Sequence, residues 1–217
     1  VGNVKLFVIN GSPRKNCNTA QLLDAFVAGA KSAEPEVEIT FINVYDYQFT
    51  GCKSCFACQL TANRAYLECK VEDEIHDLLD EARHSDGIAI GSPIYFLDIS
   101  AQAKCFLERL NYPGPSEKKI PSTFLYTMNA DEDAFHKFRI DDVIRTTRFF
   151  MKNNFGVEPN TVYSFNTFQY NDREALNEKF RQNIKVKLEH RDEQFPHDLE
   201  AAQNAGRKMV KIIQSIC

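Results

Sequence analysis

The chain has 217 residues, 43% of them hydrophobic and 26% charged, an ordinary composition for a soluble globular protein that excludes fibrous and disordered classes. A formal net charge of −4 and a pI near 5.8 argue against nucleic acid as the main partner, and no apolar run is long enough to span a bilayer, so neither nucleic acid nor membrane is expected as a partner. Seven cysteines accompany a first strand that begins within a few residues of Val1 and leaves no room for a signal peptide, which favours reduced or metal-ligated thiols and a cytoplasmic location over a disulfide framework.

Strand and helix signals alternate along the chain. Residues 6–9 form a short continuous apolar run, as a strand buried on both faces requires. A turn follows, Asn10, Gly11, Ser12, Pro13, Arg14, Lys15, Asn16, Cys17, Asn18, Thr19, and then a helical stripe of Leu22, Leu23, Phe26, Val27 and Ala30. Val37, Ile39 and Phe41 alternate with Glu36, Glu38 and Thr40, the pattern of an edge strand. Residues 44–71 make a long connection that carries four cysteines, and Ile75, Leu78, Leu79 and Ala82 mark the next helix. Residues 87–90 are a second buried strand, followed by the loop Gly91, Ser92, Pro93, Ile94, Tyr95, Phe96 and a helix with Ala103, Phe106, Leu107 and Leu110 on one face. Strands are expected over 123–126 and 161–165, with a helix bearing Ile144, Thr147 and Met151 between them and Phe155 following it. An excursion over 166–196 holds Phe168, Tyr170 and a helix-like run of Leu176, Phe180, Ile184 and Leu188. The last helix aligns Leu199, Ala202, Gly206, Met209, Val210 and Ile213. Five strands interleaved with helices predict one α/β domain over 1–217, a doubly wound five-stranded parallel sheet in three α/β/α layers. An edge-like second strand favours the order 2-1-3-4-5.

Ligands of such sheets gather beyond the carboxyl ends of the strands, where neighbouring loops diverge. In the first loop Gly11 permits a close turn, Ser12 and Thr19 offer hydroxyls, Arg14 offers a guanidinium, and free helix amides begin near Asn18, which together form a phosphate cradle. The loop is neither a P-loop nor a G-x-G-x-x-G turn, and its plain alternative is a Ser/Thr-rich helix cap with a solvated arginine. In the second loop Pro93 stiffens a turn that sets Ile94, Tyr95 and Phe96 at a strand end, where a flat ring would bury them. The plain alternative there is that Tyr95 and Phe96 cover the core. A ligand with a phosphate at one end and a flat ring at the other describes FMN.

The combination of Gly11-Ser12-Pro13-Arg14, Asn18-Thr19, Gly91-Ser92-Pro93-Ile94-Tyr95-Phe96 and the following Lys104, Phe106, Arg109 resembles the flavodoxin-like NADPH-dependent FMN reductases. It is most similar to their iron-sulfur flavoprotein branch, which carries a compact cysteine motif after the second strand. Phe195-Pro196, Asp198-Leu199, Ala202 and Gly206-Arg207-Lys208 resemble the family's final helix. The resemblance implies a flavodoxin-like fold and FMN held at its phosphate by Ser12, Arg14, Asn18 and Thr19 and at its ring by Pro93, Ile94, Tyr95 and Phe96. It implies that Thr127, Met128 and Asn129 form the third wall, where relatives place glycines. It implies NAD(P)H as co-substrate and a homodimer or homotetramer.

Cys52, Cys55 and Cys58 form C-x2-C-x2-C, and Cys69 follows after ten residues, giving the four thiolates that a [4Fe-4S] cluster requires. The fourth cysteine comes later than is usual in the family, and unligated or redox-active thiols are the other reading. Cys17, Cys105 and Cys217 have no partners by spacing. His76 and His84 fall on one surface helix, His136 lies near the third loop, and Asp131, Glu132 and Asp133 read as a solvated face. Phe168 and Tyr170 are expected at a subunit interface rather than over the flavin. Three functions follow as expectations: an FMN-dependent NAD(P)H oxidoreductase with a quinone-like, aromatic or protein acceptor; an FMN and [4Fe-4S] electron-transfer flavoprotein; and a flavin-free thiol redox-sensing or interaction protein. In the first, the cofactor carries the chemistry and no side chain has to be catalytic.

Overall fold

The structure, a computed structural model, describes residues 3–60, 68–169 and 178–216, with the backbone alone over 178–184. Its centre is a parallel sheet of β1 (Lys5–Asn10), β2 (Glu38–Asn43), β3 (Gly87–Tyr95), β5 (Ser122–Thr127) and β6 (Asn160–Ser164), ordered β2-β1-β3-β5-β6. Counting parallel strands alone, this is the expected 2-1-3-4-5. A sixth strand was not expected: β4 (Asp98–Ile99) folds back antiparallel on the end of β3, pairing Ile94 with Ile99 and Tyr95 with Asp98.

Both faces of the sheet are covered, which explains why its inner strands read as unbroken apolar runs. On one face Leu6, Val8, Ala89, Leu125 and Val162 pack against α1 (Asn18–Ala33) and α8 (Phe195–Ile216). On the other, Phe7, Ile9, Ile88, Ile90, Phe124 and Tyr126 meet α3 (His76–His84), α4 (Ala101–Asn111), α5 (Glu132–Lys137) and α6 (Ile140–Phe155). Two further helices lie outside this frame, the short α2 (Ala57–Leu60) in the cysteine segment and α7 (Glu178–Glu193) in the excursion. Helices α1 and α8 touch backbone to backbone: a Cβ on Gly206 would lie 2.0 Å from Phe26 O.

The alternation at the edge strand is only partly realised. Phe41 is left 37% exposed while Ile42, outside the alternating set, is 3% exposed. Ile42 reaches the core on the α3 and α4 side, whereas Ile39 packs toward α1 and α8. Among the described residues no helix is long and apolar enough to cross a membrane.

Candidate functional site

The carboxyl ends of β1, β3 and β5 lie side by side, and the turns that leave them are tied together. The Gly11 N–H donates to Gly91 O at 2.8 Å, so the first two loops share a backbone hydrogen bond. Ser100 locks them further: its hydroxyl donates to Gly11 O at 2.6 Å and its N–H to Ser92 Oγ at 3.0 Å. The hydroxyls of Thr19 and Thr127 meet at 2.8 Å and bring the third loop to the start of α1. Such close approach needs a glycine at position 11, where a Cβ would meet Ala103 Cβ at 2.8 Å and Gly91 O at 2.9 Å.

Within the first loop, Ser12 is buried, donates its N–H to Asn10 Oδ1 at 3.0 Å and accepts the Arg14 N–H on its hydroxyl at 3.2 Å. These bonds curl the turn over the amino end of α1. Cys17 caps that helix without a side-chain hydrogen bond, and no acidic residue occupies the first turn, so the leading amides lack an intrahelical acceptor and face no competing charge. Arg14 donates to Gln169 O and Asn18 Nδ2 to Phe168 O, the latter at 2.8 Å, so two expected phosphate ligands also brace the excursion.

The second loop begins later than the sequence suggests. Ser92 and Pro93 are buried residues of β3, with Pro93 opposite Thr127, and Ile94 and Tyr95 pair with β4. Only Phe96 and Leu97 turn the chain, both left-handed at φ 50° and 71°, as a tight hairpin requires. Bulky residues are costly there, on the order of 1–3 kcal/mol each, and Phe96 is nonetheless fully exposed. The strained turn presents an aromatic ring beside the crevice rather than covering the core. Tyr95 connects the first two loops electrostatically: burial pushes its phenol up, and nearby Arg14 pulls it back.

In the third loop Thr127 and Met128 are buried and Asn129 is exposed. The Met128 side chain belongs to the core on the α4 and α6 face, so this residue meets the loop through its backbone, which is bonded to Ser164 O and to the N–H and hydroxyl of Thr167. Asp131 is the N-cap of α5, accepting from the Ala134 N–H at 2.8 Å, and His136 is exposed beside Glu132.

The four motif cysteines converge. Cys52, Cys55, Cys58 and Cys69 line one small cavity with Arg109 and Tyr112, and left-handed residues at Ser54 and Phe56 curl the chain between the first three. Burial pushes the Cys58 thiol up, and Cys69, Cys52 and Cys55 push it further. Four such thiols ionise together only if a positive centre relieves their repulsion. Arg109 begins that work from the buried side, donating from Nε to Cys69 Sγ at 3.4 Å, while the Ser54 N–H points to Cys52 Sγ at 3.4 Å. Among the described residues no three His, Cys, Asp or Glu side chains gather as a single metal ion needs. Four thiols are the donor number of a [4Fe-4S] cluster, while the cavity they line, about 20 Å³, has room for only one water. Cys17 and Cys105 are free thiols outside this set, and Cys217 lies outside the described residues.

Arg109 is the residue whose weight the sequence hid. It is 1% exposed and binds Asp73, Val71 O and Thr50 O besides Cys69, so it pins both ends of the cysteine segment to α4. Burial works against its charge, and the bonds to Asp73 and Cys69 outweigh that and raise its pKa. An arginine three residues after Phe106, on the apolar stripe of α4, was the available signal. Ser100, which caps α4 by accepting from the Ala103 N–H and bridges the two loops, was not found from the sequence. Lys187 and Arg191, on α7, were not found at all.

A model of the NADPH-dependent FMN reductase family matches residues 4–141. An iron-sulfur flavoprotein of Archaeoglobus fulgidus is 35% identical over 106 residues, 49% of this chain and 48% of that protein. One of Methanocaldococcus jannaschii is 32% identical over 106 residues, 49% and 51%. The chain thus spans about half the length of the curated relatives it matches. Among solved structures, an NAD(P)H:quinone oxidoreductase from Methanothermobacter marburgensis superposes with a TM-score of 0.66 at 13% identity, covering 95% of this chain and 98% of that one. An azoreductase from Bacillus anthracis gives 0.64 at 15% identity, covering 94% and 99%. These two likenesses establish a shared flavodoxin-like fold. With more than half of its length matched by the family model, the chain belongs to the NADPH-dependent FMN reductase family.

Proposed function

We propose that the chain binds FMN across the ends of β1, β3 and β5 and works as an NAD(P)H-dependent oxidoreductase with a quinone-like, aromatic or protein acceptor. The observation that carries this reading is the union of three loops through the Gly11–Gly91, Ser100–Gly11 and Thr19–Thr127 bonds, with an uncapped helix at one end and a strained, exposed phenylalanine at the other. When bound, FMN supplies the redox chemistry, accepting a hydride and passing electrons on. Ser12, Arg14 and the leading amides of Asn18 and Thr19 would hold the phosphate. Ile94, Tyr95 and Phe96 would flank the ring, with Pro93 and Met128 supporting from beneath and Thr127 and Asn129 closing the third side. The protein's contribution is to orient the two rings and exclude water. The purified chain with FMN is expected to oxidise NAD(P)H steadily once a quinone is added. Turnover no faster than that of free FMN contradicts the proposal.

The convergent thiols favour a second function for the same chain, electron transfer to a protein partner through a [4Fe-4S] cluster held by Cys52, Cys55, Cys58 and Cys69. When bound, the cluster supplies single-electron steps. Iron and sulfide assayed after anaerobic purification separate the two: about four of each per chain support the carrier, and neither supports the simple reductase.

The homodimer reading is supported by a groove of about 630 Å³ between α4 and α6, with Leu107 and Thr147 among its lining residues and the half-exposed Phe150 beside them. Phe149, 56% exposed, packs on Phe150, and Phe56, 46% exposed, packs on the groove residue Tyr112, which adds apolar surface of the kind a second copy covers. Phe150→Glu is expected to convert the assembly to monomers in light scattering, and an unchanged mass places the contact elsewhere.

A further inference from the structure

The excursion after β6 lies beyond residues 4–141, yet α7 reaches back to two of the three loops of the crevice. Arg191 extends a fork to the start of α1, donating from Nη1 to Asn18 Oδ1 at 2.9 Å and from Nη2 to Gln21 Oε1 at 2.6 Å. Its guanidinium lies 4.1 Å from the centre of the Phe195 ring, which fixes the fork's plane. One turn earlier, Lys187 is 8% exposed and donates to Asn129 O at 2.9 Å and to Asn166 Oδ1 at 2.8 Å. Residues four apart share one helical face, so a single rigid element grips the phosphate turn with one cation and the third loop with the other.

Asn18 shows what the grip does. Its amide nitrogen donates to Phe168 O and its amide oxygen accepts from Arg191, so the side chain is held from both sides at the first position of α1. Arg14, a residue of the turn itself, donates to Gln169 O, the neighbour of the carbonyl that binds Asn18. The turn therefore carries one guanidinium of its own, from the family core, and is bonded by a second from the excursion.

We propose that Arg191 is a positioning residue for the flavin phosphate and Lys187 one for the ring-side loop, so that α7 makes cofactor retention depend on a segment outside the family core. This rests on the FMN reading above. Arg191 sets the amide of Asn18 and adds positive potential at the phosphate end. Lys187 fixes the carbonyl of Asn129 and, through it, the wall opposite Tyr95.

The test compares FMN with riboflavin, which keeps the ring and lacks the phosphate, by flavin fluorescence quenching on the apoprotein. Wild type is expected to prefer FMN. Arg191→Gln is expected to lower FMN affinity about tenfold, the loss of one charge-assisted interaction, and to leave riboflavin affinity nearly unchanged. Lys187→Met is expected to weaken both flavins by a common factor. Arg191→Lys retains charge and packing without the fork, and its expected intermediate loss of preference serves if the glutamine variant does not fold. A preserved FMN preference in both Arg191 variants overturns the inference while leaving the flavin site standing. A wild-type protein that binds neither flavin, or both equally, overturns the FMN reading and the role of Arg191 with it.

Discussion

Replacing Arg109 with methionine is expected to destabilise the protein by about 3–5 kcal/mol, because it removes one member of a buried ionic pair and leaves its partners behind. Methionine keeps the apolar stem of the side chain but offers no donors. Asp73 would lose its guanidinium, Val71 O and Thr50 O would lose their N–H groups, and Cys69 Sγ would lose its contact with Nε. The effect should be concentrated in the cysteine segment, since those bonds attach its two ends to α4. Two measurements check it together: the urea midpoint should fall, and the thiols of the segment should react with a disulfide reagent faster than in wild type under native conditions. A variant with an unchanged midpoint and equally protected thiols would show that the segment is held by something other than Arg109.

Gly206→Ala is expected to be comparably damaging for a different reason. The added Cβ would sit 2.0 Å from Phe26 O and 2.8 Å from Ala30 N, so α8 must move bodily away from α1. Overpacking of this kind costs about 3 kcal/mol or more when backbone has to shift. Because α1 begins in the phosphate turn and α8 anchors Ser164 through Asp198 at 2.5 Å, the displacement should also weaken FMN binding. A melting temperature within a degree of wild type would mean that the two helices separate at little cost.

Much of the architecture could be read from residue patterns because its causes are local. Leu6 to Ile9 had to be apolar throughout, since alternate side chains meet α1 and α8 on one face and α4 on the other. The loop after β3 was misjudged because Gly-Ser-Pro reads as a turn, while here β3 continues through Pro93 at the end of the ladder and the reversal falls on Phe96 and Leu97. Nothing local predicts two bulky left-handed residues, since that conformation is imposed by the β3–β4 hairpin. The cysteines were conspicuous by spacing, but the tertiary contact of Arg109 with Cys69, beside the cavity that all four line, was not. Lys187 and Arg191 carry no motif or spacing signal of their own. Their meaning depends on Asn18 and Asn129, more than fifty residues distant in each case. Part of the excursion's aromatic content, Tyr170 among it, lies outside the described residues, while Phe168 meets the phosphate turn through its carbonyl.

The visible spectrum of the anaerobically purified chain, taken after incubation with FMN and removal of the unbound flavin, bears most directly on the whole account. One flavin per chain, with its bands altered from those of the free cofactor and released on unfolding, is the expected result. A colourless protein that leaves all of the added FMN in the filtrate would contradict it, and only the sheet and its thiols would remain to be explained.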